Sequence, residues 1–154
     1  MHRFDETRHL PYTPRQLFDL VADIGKYPEF LPWCLGARVG PRQKTADGEE
    51  ILIADLIVGA RIFRETFTSR VTLAGDDNPP RIDVDYIKGP MQKMENHWLF
   101  RAEGTGTRLE FHVAFSFRSA FLEKVMGAFF DDASLRMVAA FETRAAKLYG
   151  GAGA

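Results

Sequence analysis

Apolar residues recur at helical spacing between Ser119 and Tyr149: Leu122, Met126, Phe129, Ala133, Met137 and Ala140 form one row, and Phe130, Ser134, Val138, Phe141, Ala145 and Leu148 a second beside it. Two adjacent rows make an apolar face broader than a simple surface helix needs. Lys124, Asp131, Asp132, Arg136, Glu142 and Arg144 fall largely off that face. Ser119 suits an N-cap and Gly150 a stop. A helix of this span, roughly thirty residues, is about 45 Å long.

Upstream the period changes from 3.6 to two. Residues 2–10 alternate weakly, with Phe4 and Leu10 on one side. Thr13-Pro14-Arg15-Gln16 reads as a capping box with proline at the first helical position, and Leu17, Leu20, Val21 and Ile24 continue it as a short helix ending near Gly25. Ile51 to Val58 is almost continuously apolar, which predicts a strand covered on both faces. Gly59-Ala60 predicts a tight turn or bulge. Phe63, Glu65, Phe67, Ser69, Val71 and Leu73 then share one strand face, with Ile62, Arg64, Thr66, Thr68, Arg70 and Thr72 on the other. Ile82, Val84 and Tyr86 alternate with Asp83 and Asp85 until Lys88-Gly89-Pro90 interrupts. Asn96, Trp98 and Phe100 follow, then a turn at Glu103-Gly104-Thr105-Gly106. The last strand is the clearest, with Leu109, Phe111, Val113, Phe115 and Phe117 inward and Arg108, Glu110, His112, Ser116 and Arg118 outward.

Short turns between successive strands imply antiparallel pairing. A sheet with one apolar face needs a layer over it, and the long C-terminal helix supplies that layer. The predicted class is α+β: a strand, one or two short helices, about six hairpin-connected strands, then the helix. The pattern alone leaves open whether helix and sheet close on each other or enclose a cavity, because core and pocket are equally apolar.

Tyr27-Pro28-Glu29-Phe30-Leu31-Pro32-Trp33-Cys34-Leu35 concentrates large apolar side chains in a segment whose prolines break any long helix. Such a loop either plugs one end of the core or presents its aromatics to something apolar.

A chain of 154 residues points to one domain, with 150–154 a flexible tail. Lys and Arg total 20 against 21 Asp and Glu, a net charge of −1 that gives no overall case for nucleic acid and leaves no DNA partner expected. The single Cys34 excludes an intrachain disulfide and fits a reducing compartment. The first residues lack the apolar core of a signal peptide, and the longest apolar run is too short to span a bilayer.

Catalytic chemistry is sparse. His2, His9, His97 and His112 are not spaced as metal ligands, and His112 is expected to be solvent-exposed. Asp131 and Asp132 are helical neighbours that diverge by about 100° and do not share a substrate easily. Glu65 shares a face with Phe63 and Phe67, so it is tied to a partner, lies near water at a strand end, or looks into a cavity. No convincing acid–base pair emerges, and the chain is expected not to be an enzyme.

Leu17-Phe18-Asp19-Leu20-Val21-Ala22-Asp23-Ile24 followed by Tyr27 to Cys34, then Glu65-Thr66-Phe67-Thr68-Ser69-Arg70-Val71, and Gly89-Pro90-Met91 with Asn96-His97-Trp98 and Phe100, resemble the coenzyme Q-binding family. That family lies within the START-like polyketide cyclase/dehydrase and lipid-transport superfamily. The resemblance covers residues 3–149. It implies a helix-grip fold: a curved antiparallel sheet of about six or seven strands wrapped around the long C-terminal helix, with short helices after the first strand. It implies a non-catalytic binding or chaperone role for ubiquinone in respiration. The quinone would be a bound ligand rather than a cofactor, and the protein cytoplasmic with peripheral contact to the inner membrane. A bacterial branch is described as a toxin that interferes with ribosomal subunit association, which makes the ribosome the alternative partner. An aromatase or cyclase is the third reading.

The candidate ligand contacts are Phe30, Trp33, Phe63, Glu65, Phe67, Trp98, Phe115, Met126, Phe129, Ala133 and Met137, with no catalytic or metal residues. Glu65 and Asn96 are candidates for a ligand headgroup. The Met126, Phe129, Ala133 and Met137 row is the helix face expected to meet ligand, while Phe130, Val138 and Phe141 anchor it. A ribosome contact would call on Lys124, Arg136, Arg144 and Lys147 with Arg61, Arg64 and Arg70.

Overall fold

A computed structural model describes residues 2–60 and 63–150, with the side chains of Ala60, Phe63 and Phe129 outside the description. In chain order the elements are β1 (His2–Leu10), α1 (Pro14–Ala22), a 3-10 helix (Ile24–Glu29), β2 (Cys34–Val39), β3 (Gln43–Lys44), β4 (Glu50–Ala60), β5 (Phe63–Ala74), β6 (Arg81–Lys88), β7 (Met91–Glu103), β8 (Gly106–Phe117) and α2 (Ala120–Tyr149). Among the described residues they form one 8-stranded antiparallel sheet in the order β1-β8-β7-β6-β5-β4-β2, with the short β3 also on β4. This is the α+β architecture predicted from the pattern, arranged as the resemblance to the START-like superfamily implies.

The helix ends follow from their caps. Thr13 accepts from the Gln16 amide at 3.1 Å while the Gln16 side chain accepts from the Thr13 amide at 2.9 Å, a closed capping box. Ser119 accepts from the Leu122 amide at 3.3 Å to start α2, and Gly150, at φ +96°, stops it by donating to the Ala146 carbonyl.

α2 does not lie centrally over the sheet. It packs against α1, β1 and β8. Phe130 sits edge-on to Phe115 at 4.7 Å and to Phe4 at 6.4 Å, and Arg8 donates to Glu142 at 2.5 Å. At the far end Tyr149 donates to the Gln16 carbonyl and Tyr12 to the Gly150 carbonyl. The second apolar row is the buried one from Phe130 through Ser134, Val138 and Phe141 to Ala145, whereas Leu148 at its end is exposed. The first row is half-buried at Leu122, Met126, Ala133, Met137 and Ala140.

Three expectations change. β4 is covered on one face only: Leu52 and Ala54 are buried, but Ile53 is 44% exposed because its side of the sheet carries no helix. The strand does not turn at Gly59-Ala60 but continues through Ala60, so the connection to β5 falls at residues 61–62, outside the described residues. His112 is half-buried rather than open, with its Nδ1 2.5 Å from Asp5 and its ring parallel to His97 at 5.9 Å. The predicted tail lies outside the described residues, Gly150 excepted.

Candidate functional site

The apolar interior divides into two packed clusters. One gathers α1, the 3-10 helix and the middle of the sheet around Phe100, Trp98 and Phe141. The other gathers Met91, Phe115, Phe117 and Phe130 near the start of α2. Residues of both line a cavity of about 250 Å³. Because α2 leans on the β1–β8 edge, the space opens between the helix and the rest of the sheet. Ala54 and Leu56 of β4, Phe67, Ser69 and Val71 of β5, Ile82 and Val84 of β6, Met94, Asn96 and Trp98 of β7, and Phe111, Val113 and Phe115 of β8 form the sheet wall. Met137 and Phe141 of α2 face them, and Val21, Ile24, Tyr27 and Leu31 close one end.

The polar groups in this lining are few. The Tyr27 hydroxyl donates to the Val21 carbonyl at 2.5 Å, and burial pushes its ionisation far up, so the phenol stays neutral. The Asn96 side chain accepts from the Trp98 indole at 3.0 Å and donates to the His112 carbonyl at 2.9 Å. Ser69, paired in register with Ala54, presents the remaining hydroxyl. Among the described residues the lining holds no carboxylate, lysine, arginine, histidine or cysteine, so those walls offer no group suited to general acid or base work at neutral pH. Among the described residues no three His, Cys, Asp or Glu side chains converge as a metal site.

Of the candidate contacts, Phe67, Trp98, Phe115 and Met137 line the cavity. Phe30 does not: it stacks edge-on against Tyr27 at 5.9 Å and Phe141 at 5.2 Å, one layer behind the wall. Trp33 is half-buried outside the lining, and its carbonyl accepts from the Gly59 amide. Met126 packs into the second cluster, and Ala133 is half-buried without reaching the cavity. Glu65 shares a strand face with Phe67 but stands one pleat nearer residues 61–62, opposite Val58, beyond the lining. The side chains of Phe63 and Phe129 lie outside the described residues. The loop after the 3-10 helix acts as a plug: Leu31 lines the cavity, Cys34 is buried with its thiol ionisation pushed up, and Leu35 turns outward.

Sequence reading missed Ser69, Met94 and Tyr27 as lining residues. The alternation of β5 already placed Ser69 inward, a small polar residue among apolar neighbours, and that was the available signal. Three of the cations that a ribosome contact would call on are paired with carboxylates. Arg136 pairs with Asp132 at 2.9 Å, Arg144 with Glu29 at 3.0 Å and Arg70 with Asp85 at 3.5 Å; Arg61 lies outside the described residues.

Residues 10–142 match the family described as polyketide cyclase / dehydrase and lipid transport. The chain belongs to this family. It is 38% identical to the ribosome association toxin RatA of Rickettsia prowazekii, covering 94% of this chain and 97% of that one. It is 28% identical to a mitochondrial coenzyme Q-binding protein homolog of Xenopus laevis, over 96% of this chain and 59% of that one. Among solved structures, an 18 kDa protein of Caulobacter crescentus is 40% identical with a TM-score of 0.79, covering 98% of this chain and 100% of the other. A START superfamily protein of Mycobacterium smegmatis shares the fold at TM-score 0.71 and 17% identity, over 96% and 99% of the two chains. The START-like assignment made from the sequence therefore holds, and with it a family-level expectation of lipid or other hydrophobic ligands. Among the described residues no helix is long and apolar enough to cross a membrane.

Proposed function

We propose that the chain is a non-catalytic binding protein for an apolar, isoprenoid-type ligand held between the sheet and α2, with ubiquinone the leading candidate. The observation that carries this reading is the cavity itself, walled by aromatic and aliphatic side chains and, among the described residues, free of ionisable acid–base groups apart from a buried, neutral phenol. An insoluble lipid is stabilised by such walls while the polar exterior stays hydrated. The likeness to a coenzyme Q-binding protein supports the quinone choice.

Size refines the proposal. At about 250 Å³ the cavity falls below the roughly 300–1,000 Å³ typical of small-molecule sites. It suits a ring with a short substituent, so a long tail would leave through a widened mouth or along α2. The work is placed in the cytoplasm, with peripheral membrane contact during transfer. Organic extraction of the purified protein followed by mass spectrometry tests the reading. Co-purified quinone supports it, and failure to find or bind any quinone in titration overturns it.

A second reading, ribosome association, is favoured by the RatA relative, which is similar over nearly its whole length. Pairing of Arg136 and Arg144 with carboxylates leaves α2 fewer free cations for phosphate contact, with Lys124 and Lys147 the ones that remain on offer. Sedimentation of ribosomal subunits with and without the protein tests it, and an unchanged subunit-association profile counts against it.

A further inference from the structure

We infer that the Asn96 amide is the specificity anchor of the cavity and selects an apolar ligand carrying a carbonyl-type acceptor oxygen over a pure hydrocarbon. The inference rests on the ligand-binding reading above and adds the chemistry that ligand must have.

Two neighbours fix how the amide points. The Trp98 indole N–H is a donor only, so the atom it meets at 3.0 Å is the Asn96 oxygen. The His112 carbonyl is an acceptor only, so the atom it meets at 2.9 Å is the Asn96 nitrogen. The amide therefore cannot flip without losing both bonds. A primary amide carries two N–H donors, and the His112 carbonyl takes one of them. The second belongs to a side chain that lines the cavity. A carbonyl oxygen with one good hydrogen bond is tolerably satisfied, whereas an N–H without a partner is seldom left buried.

The asymmetry makes the amide discriminating. A hydrocarbon that displaces water from this N–H gives no bond in return, while an acceptor oxygen replaces the bond. Ser69 cannot discriminate in the same way, because its hydroxyl rotates to donate or accept. Tyr27 is already committed to the Val21 carbonyl. Trp98 is only 5% exposed and is gripped by Phe111 at 4.5 Å and Phe141 at 5.2 Å, so the indole that orients Asn96 is itself held in place.

The test compares two probes of similar size, a decyl-substituted benzoquinone and decylbenzene. Each competes with a fluorescent naphthylamine probe for the purified full chain. The wild type is expected to prefer the quinone by about tenfold, the scale of one hydrogen bond in a dry site. Asn96→Leu is expected to bring the two probes to near-equal affinity by weakening the quinone alone. Asn96→Asp keeps an acceptor for Trp98 while removing the donor, and it carries the comparison if the leucine variant does not fold. The infrared carbonyl stretch of bound quinone is read on the wild type and depends on neither variant; a downshift is expected. Equal wild-type affinities, a preference that survives both variants, or an unshifted carbonyl overturns the anchor while leaving the ligand-binding reading intact. Failure of both probes to bind overturns both.

Discussion

The Arg144 guanidinium lies 5.2 Å over the Phe30 ring, so α2 covers the loop that plugs the cavity. Arg144 is only 12% exposed, and it reaches Glu29 at 3.0 Å, which holds the Glu29 carboxyl below its usual range. With the Glu29 carboxylate half exposed the ion pair contributes little; the cation over the half-buried Phe30 ring contributes about 1–2 kcal/mol. Arg144→Ala is therefore expected to lose about 1–2 kcal/mol in urea unfolding and to speed hydrogen exchange in the 3-10 helix Ile24–Glu29. Glu29→Gln is expected to do much less. Equal effects from the two changes would show that the ion pair, not the ring contact, holds the loop.

The cavity can be filled from the strand beside its polar anchor, at Val84, which pairs in register with Asn96. Val84 is half-buried and lines the β6 wall. Val84→Phe directs added volume into the cavity, so binding of the quinone probe is expected to fall at least about tenfold, with stability within about 1 kcal/mol of wild type. Ala133→Phe is the control. Ala133 lies outside the lining, so that variant is expected to bind as wild type does. A loss of binding in Ala133→Phe with normal binding in Val84→Phe would move the site onto the outer helix row.

The fold was legible because its elements carry strong local signals. The two rows of α2, the capping box at Thr13 and the alternation from Leu109 to Phe117 each fixed an element by period. The side of β4 was not legible: Ile51 to Val58 reads as buried on both faces, yet only tertiary layering shows that nothing covers Ile53. The cavity was half legible. Strand parity put Phe67, Trp98 and Phe115 inward, but it cannot say how far along a strand a cavity extends, and so Glu65 was drawn in with Phe67. The helix face was half legible for a related reason: Met137 of the first row reaches the wall, but so does Phe141 of the second. Two equivalent apolar rows give no hint that α2 leans toward β1, and that lean buries the Phe130 row, brings Phe141 to the wall, and leaves Ala133 outside the lining.

Tyr27 offers a way to separate structure from ligand contact. Its hydroxyl donates to the carbonyl of Val21, in the last turn of α1, where carbonyls lack helical partners. Tyr27→Phe leaves that buried acceptor unmet and is expected to cost about 1–2 kcal/mol in denaturant unfolding. Probe affinity should stay within about twofold of wild type, since a committed hydroxyl offers the ligand no donor. A large fall in affinity at unchanged stability would instead make Tyr27 a ligand contact.

Glu123 ties the start of α2 to the sheet, and the tie is sensitive to acid. Its Oε2 accepts from the Phe117 amide at 2.7 Å, and Oε1 lies 2.6 Å from the His2 ring. The Phe117 hydrogen bond is the main cause holding the Glu123 carboxyl below its ordinary value of 4.5. A carboxyl depressed in the folded state contributes stability above its unfolded value, and that contribution is lost as pH falls through the folded one. The loss therefore lies below about pH 4.5. Glu123→Gln removes the titration, so its melting temperature is expected to be lower than wild type at pH 6 and to converge with it between pH 4.5 and the acid limit. Parallel curves across that window would show that the Glu123 carboxylate makes no contribution to acid sensitivity, and that the Phe117 amide is served equally well by a neutral side chain.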